Sequence, residues 1–227
     1  MAVPHHLWPN RWEAGIALAG RLQRWRDRAD STTVIGLPRG GVAVAAAIAQ
    51  QLHLPLRCWA VRKLASPLEP EYALGAIASG GSVVWNQAAL ARTPLSQTQR
   101  ERLVAAAMPE LLRRQQRFGD ARPQDLRGRH VIVVDDGIAT GMTVRAALLA
   151  LRRSRPERLI LAVPVLDAEL VEELRPLVDD LVAVIAVPGL YAVGAFYDDF
   201  SQLRDADVQA LLQQARSGTA GELRPEA

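Results

Sequence analysis

Apolar positions along the chain gather into short β-rich runs, each closed by a turn and most followed by a run with helical spacing. Ahead of this alternation, Asn10 is followed three residues later by Glu13 and then by Ile16, Ala19 and Leu22, which predicts a capped amphipathic helix ending near Arg28. The alternation then predicts a strand at 33–37, a helix at 41–52 and a second strand at 56–61. Runs at 73–78 and 82–85, separated by Gly80 and Gly81, predict a hairpin off the main sheet. A long helix at 96–118, polar along one face, is followed by a strand at 130–135, a helix at 143–153, a strand at 158–163, a helix at 168–174, a strand at 181–187 and a helix at 206–215. The unbroken run Val131, Ile132, Val133, Val134 reads as a strand covered on both faces. The expected fold is α/β: a doubly wound, mainly parallel central sheet with flanking helices and a small variable hood. With 227 residues, one core suffices, so a single domain over 1–216 is expected, with 217–227 as a frayed tail.

Composition narrows the class. Half the residues are apolar (49%) and 22% are charged, the balance of a chain that folds by itself. The lone cysteine, Cys58, excludes a disulfide framework and a cysteine-based zinc site, and its apolar neighbours predict a buried thiol. No run reaches the ~18 apolar residues of a membrane span, and His5, His6 and Arg11 stand where a signal peptide needs apolar residues. A cytoplasmic protein is expected. The formal charge of +3 admits anionic partners from phosphate to nucleic acid. Lys63 is the single lysine in a chain whose other basic residues are arginine.

Chemistry is expected at strand-to-helix turns, because an open parallel sheet binds ligands beyond the carboxyl ends of its strands. In VIVVDDGIATGMT, Val131 to Thr143, four apolar residues deliver the adjacent carboxylates Asp135 and Asp136 to the sheet mouth, where like charges repel unless they face hydroxyls or a cation. Gly137 and Gly141 free the backbone to turn its N–H groups onto an anion at the helix start, and Thr140 and Thr143 add hydroxyl donors. Carboxylates beside a phosphate cradle suit a phosphorylated sugar. No Gly-Lys-Ser/Thr and no GxGxxG opens a helix, which excludes a Walker A loop and a Rossmann fingerprint. Pro38, Arg39, Gly40 and Gly41 follow the first strand; Arg39 could grip two oxygens of one anion, or the four residues could form only a tight turn. Arg62 and Lys63, read as ending the second strand, form either an anion contact or a solvated strand end.

The stretch from Val131 to Thr143 resembles the motif with which type I phosphoribosyltransferases bind phosphoribosyl pyrophosphate (PRPP), and Pro38 to Gly41 resembles their pyrophosphate loop. The segment VRKLASPLEPEYALGAIASGG from Val61 and the segment VGAFYDDF from Val193 are similar to a bacterial group of these proteins whose acceptor is undefined, although that group commonly has Gly where Ala65 stands. The resemblance implies displacement of pyrophosphate from C1 of PRPP by a nitrogen acceptor. It places the 5-phosphate at Ile138, Ala139, Thr140, Gly141, Met142 and Thr143, and the ribose hydroxyls at Asp135 and Asp136. Arg39, Gly40, Gly41, Arg62 and Lys63 take the pyrophosphate, with Mg2+ held mainly by PRPP and not by a dedicated protein cage. A hood from 1–30 and 188–205 is expected over the acceptor, with Phe196 and Tyr197 stacking on a base and Asp198 or Asp199 accepting from its amines, or the four serving as a packed edge. The polar stretch 87–122 would act as a mobile cover, a homodimer face or a solvated helix.

Two other functions use the same residues. A PRPP- or nucleotide-sensing regulator would keep the loops without turnover; Arg21, Arg24, Arg26, Arg28 and the stretch 100–117 would then meet RNA, although their interleaving with acids and lack of aromatics disfavours a nucleic-acid partner. A phosphohydrolase or kinase acting on a phosphosugar lacks a recognisable phosphoryl-transfer apparatus in this sequence.

Overall fold

The computed structural model describes residues 6–66 and 73–217. Expectations resting on His5, on residues 67–72 of the Val61 segment and on the tail after Ser217 lie outside the described residues. In chain order the elements are α1 (Arg11–Arg21), β1 (Thr32–Gly36), α2 (Gly40–Leu52), β2 (Leu56–Cys58), β3 (Val61–Ala65), β4 (Ala73–Ala78), β5 (Ser82–Trp85), α3 (Gln87–Arg92) and α4 (Gln97–Phe118). They continue with α5 (Pro123–Leu126), β6 (His130–Val134), α6 (Met142–Arg153), β7 (Arg158–Asp167), α7 (Leu170–Leu174), β8 (Asp180–Val187) and α8 (Asp205–Ser217).

Five strands form a parallel sheet in the order β2-β1-β6-β7-β8, and β3-β4-β5 form a separate antiparallel sheet. Successive residues of a strand point to opposite faces. On β6, Val131 and Val133 therefore join a core with α6 and the small sheet, whereas Ile132 and Val134 pack with α1, α2 and α8 through Leu18, Leu22, Ile48 and Val208. The mainly parallel, doubly covered sheet matches the sequence expectation. The direction of winding reverses between β1 and β6: β2 lies to one side of β1, and β7 and β8 lie to the far side of β6. This switch point is where a crevice opens beyond the carboxyl ends of the strands.

Several boundaries differ from the sequence reading: the strand expected at 158–163 runs on to Asp167, and two others bear on the site. The α1 helix stops at Arg21, and the chain continues in a single tight turn, Gln23–Trp25, that buries Trp25. The apolar run from Leu56 is cut after Cys58, because the chain leaves the parallel sheet there and enters the antiparallel one at Val61. Arg62 and Lys63 therefore do not end a main-sheet strand; they lie within β3, where neighbours point to opposite faces. The long helix is capped at its start, with Ser96 Oγ accepting from Gln99 N–H and the Gln99 side chain accepting from Ser96 N–H. It lays Leu111 against Ala60, Leu64 and Ile77 and exposes its charged face. No described helix is long and apolar enough to cross a membrane.

Cys58 is fully buried, and burial, helped by the charge of Asp120, pushes its thiol well above the usual range. Iodoacetamide is expected to leave it untouched in the native protein and to alkylate it only after unfolding, read by intact mass. Native-state labelling at the rate of a free thiol would contradict this packing.

Candidate functional site

The acidic loop begins where β6 ends. Four buried apolar residues commit the strand to the sheet interior, so the next two, Asp135 and Asp136, emerge together at its carboxyl end. Asp136 N–H donates to Asp135 Oδ1 at 3.0 Å, folding one carboxylate back over the turn. Burial, and then the neighbouring charge of Asp136, raise the Asp135 carboxyl well above the ordinary carboxylate range, while the positive charge of Lys63 pulls it the other way. Lys63 lies within β3 of the antiparallel sheet. Arg62, its neighbour on that strand, points to the other face.

Beyond the acids the loop is pinned to the next strand. Ile138 N–H donates to Val165 O at 3.0 Å, and Asp167 N–H donates to Ile138 O at 2.9 Å, so Ile138 forms a one-residue parallel bridge with β7. Gly141 then takes φ +70, a left-handed conformation that L side chains rarely adopt, and α6 starts at Met142 with no side chain capping it. An uncapped helix start behind a tight turn, flanked by the exposed Thr140 and the half-buried Ala139 and Thr143, is a place for an oxyanion.

The second loop of the switch point meets the first. Leu37 N–H donates to Val134 O at 2.9 Å, and the chain then passes through a cis peptide bond between Pro38 and Arg39 into Gly40 and Gly41. Both glycines lie against the acids. A Cβ on Gly41 would stand 2.6 Å from Val134 O and 3.0 Å from Asp135 Oδ1, and one on Gly40 would stand 1.8 Å from Asp136 Oδ2. No side chain fits between the loops. Arg39 is held loosely at the rim, its Nη1 4.0 Å from Asp205 Oδ1, while the same carboxylate receives Arg113 Nη1 at 2.9 Å.

Sequence reasoning missed Arg11. It arrives from α1, 125 residues away in sequence, and donates through Nε to Asp136 Oδ2 at 2.7 Å, with both side chains mostly buried. Its Nη1 donates to Ser201 O at 3.0 Å, and its guanidinium lies 3.8 Å from the Phe200 ring centroid. The capping signal at Asn10 marks this helix start but says nothing of its tertiary partner.

The aromatic pair of the 193–200 segment is used for packing. Phe196 and Tyr197 are 1% and 2% exposed, Tyr197 packs on Trp8 with ring centroids 5.5 Å apart, and its hydroxyl donates to Asp136 O at 2.6 Å. Neither ring offers an open face for a base, so the packed-edge alternative describes them. Asp198 is exposed and pairs with His6, and Asp199 accepts from Ser201 N–H at 2.8 Å. The segment pairs with the N-terminal stretch: Leu7 and Trp8 N–H both donate to Phe196 O, and Asp198 N–H donates to Trp8 O.

A family model described as the phosphoribosyl transferase domain matches residues 8–187. A Mycobacterium tuberculosis (strain H37Rv) protein whose name assigns it provisionally to the phosphoribosyl transferases is 39% identical over 211 residues, covering 92% of this chain and 47% of that protein. The chain therefore spans about half the length of such curated relatives. The crystal structure of TT1426 from Thermus thermophilus is 37% identical with a TM-score of 0.71, covering 91% of this chain and 98% of that one. A shorter match, 57% identical over 42 residues (18% of this chain, 23% of the other), is to the bifunctional protein PyrR 1 of Lactiplantibacillus plantarum.

Proposed function

We propose that this chain, which belongs to the phosphoribosyl transferase domain family, transfers the 5-phosphoribosyl group of PRPP to a nitrogen acceptor with release of pyrophosphate. The observation that carries the reading is the meeting of two loops at the switch point: an acidic pair with an uncapped helix start behind it, and an Arg-Gly-Gly turn pressed against those acids.

In this reading Asp135 and Asp136 accept from the ribose hydroxyls, and the backbone and hydroxyls of Ile138, Ala139, Thr140, Gly141, Met142 and Thr143 take the 5-phosphate. Arg39 and Lys63 take the pyrophosphate, and Gly40 and Gly41 let the backbone approach it; Arg62, next to Lys63 on β3, points to the other face of that strand. Positioning and charge stabilisation supply the catalysis, because the sugar and the leaving group are both held while positive charge grows at C1. Arg11 orients Asp136 and ties the 193–201 segment to it. Mg2+ fits this donor set as a passenger of PRPP: two carboxylates stand ready for ribose hydroxyls or ion-bound waters, and the ion needs few protein ligands. When bound it neutralises the leaving pyrophosphate. A hood formed by the paired segments around Trp8 and Tyr197 would cover the acceptor, with the exposed Asp198 and Asp199 on its rim.

Incubation with PRPP, Mg2+ and a panel of purines, pyrimidines and amines is expected to release pyrophosphate with at least one acceptor. Tight PRPP binding with no turnover across the panel would replace the transferase by a sensor on the same fold. Absence of PRPP binding would overturn both.

A further inference from the structure

The opposite end of the parallel sheet, where β6, β7 and β8 begin, carries a second concentration of positive charge. A cavity of about 210 Å3 is lined there by Arg24, Trp25, Arg28 and Arg158. Asp180 Oδ2 accepts from Arg24 Nη2 at 2.8 Å and from Arg158 Nη2 at 3.0 Å. Arg28 forms no ion pair among the described residues. Asp180 bridges two of the three guanidiniums and the charge of Arg158 also acts on Asp179, which leaves Arg28 as the lining cation without an ion pair.

One residue of the lining also buries a donor that the protein does not satisfy. Trp25 is 4% exposed, and its Nε1–H has no hydrogen-bond partner. The ring of His130 packs 4.7 Å from that of Trp25, and its Nε2 stands 3.9 Å from Glu157 Oε2. Buried donors are normally paired, and Trp25 lines the cavity, so its indole reports on an anion seated there.

We infer that this pocket is a second anion-binding site, built for a small phosphate-bearing anion of the di- or triphosphate class. Guanidiniums grip two oxygens at a time, and a phosphate chain offers oxygens to several of them at once, which a chloride or a single carboxylate does not. The volume is below the ~300 Å3 at which pockets for drug-sized ligands begin, so a phosphate chain fits and an enclosed nucleoside does not. The indole offers no stacking platform, because Arg24 lies 5.1 Å from its centroid and His130 packs against it. A single-stranded nucleic acid would need one. The site is separate from the switch point: Arg158 opens β7 and Asp167 closes it beside the acidic loop, a strand of 10 residues, or about 30 Å at ~3.3 Å per residue.

The test uses the full chain carrying Arg39→Ala with Lys63→Ala, which removes the two cations assigned to pyrophosphate at the switch point, and inorganic pyrophosphate without Mg2+ as probe. Calorimetry is expected to give one saturable site, and the indole N–H resonance of Trp25, identified by its loss in Trp25→Phe, is expected to shift during the titration. Arg28→Glu, an exposed position, should weaken binding at least tenfold without lowering Tm, and Arg158→Gln should weaken it independently. These two variants decide the matter even where Trp25→Phe fails to fold. Affinity indifferent to Arg28→Glu, a linear response that never saturates, or Arg28-dependent binding of single-stranded RNA that pyrophosphate does not displace would each overturn the proposal.

Discussion

Replacing Asp135 and Asp136 together by asparagine is expected to lower PRPP affinity by roughly a thousandfold, because a hydrogen bond to a charged group contributes about 1.5–3 kcal/mol and two are lost. Titration calorimetry reads the loss, and unchanged affinity would sink the assignment of the ribose to this loop. The single variants should differ in stability. Asp135 has its carboxyl raised by burial and by Asp136, so its ionisation disfavours the folded state. The sign follows: wild-type stability falls as pH rises from the ordinary carboxylate value through the raised folded value, and Asp135→Asn removes that fall. Thermal melts across the acidic range should show Asp135→Asn level with or above wild type at neutral pH. Asp136→Asn instead gives up a mostly buried contact with Arg11 and should melt lower. The same raised carboxyl means that PRPP affinity should begin to decline on acidification above the pH at which an ordinary aspartate protonates.

The acidic loop was legible in the sequence because every link in it is local. An apolar run long enough for a strand, two acids and a glycine-bracketed turn leave the chain few ways to fold, and the structure places Val131 to Val134, Asp135, Asp136 and Gly141 accordingly. The hairpin at Gly80 and Gly81 was legible for the same reason, and its strands fall where the turn predicts. What failed was non-local. The apolar run through Cys58 and Val61 carries no mark that one half pairs with β1 and the other with β4, since both halves need the same hydrophobicity. That ambiguity put Arg62 and Lys63 at the end of a main-sheet strand, where the structure has them inside β3. Phe196 and Tyr197 read equally as a base slot or a packed edge, and only the approach of Trp8 from the other end of the chain settles their burial. Arg11 was invisible because its partner is 125 residues distant.

A methyl group on Gly40 tests that long-range contact most directly. Gly40→Ala would put Cβ 1.8 Å from Asp136 Oδ2 and 2.9 Å from Arg11 Nε. The carboxylate is a side-chain end and could swing aside, but Arg11 pins it, and Phe200 and Ser201 pin Arg11 in turn. The variant is therefore expected to lose about 1–3 kcal/mol of stability, the usual cost of overpacking, and tenfold or more in PRPP affinity as Asp136 loses its orientation. Gly20→Ala is the control: it lies on the exposed side of α1, its Cβ would meet nothing within 4 Å, and an alanine there should stabilise the helix by about 0.5–1 kcal/mol. Arg11→Met supplies the decisive arm. Without the guanidinium the carboxylate is free to move, so Gly40→Ala should cost less stability in the Arg11→Met background than alone, a coupling of at least about 0.5 kcal/mol in a double-mutant cycle. Strict additivity would mean that Arg11 does not hold Asp136, and the role given to the N-terminal helix in shaping the ribose site would fall with it.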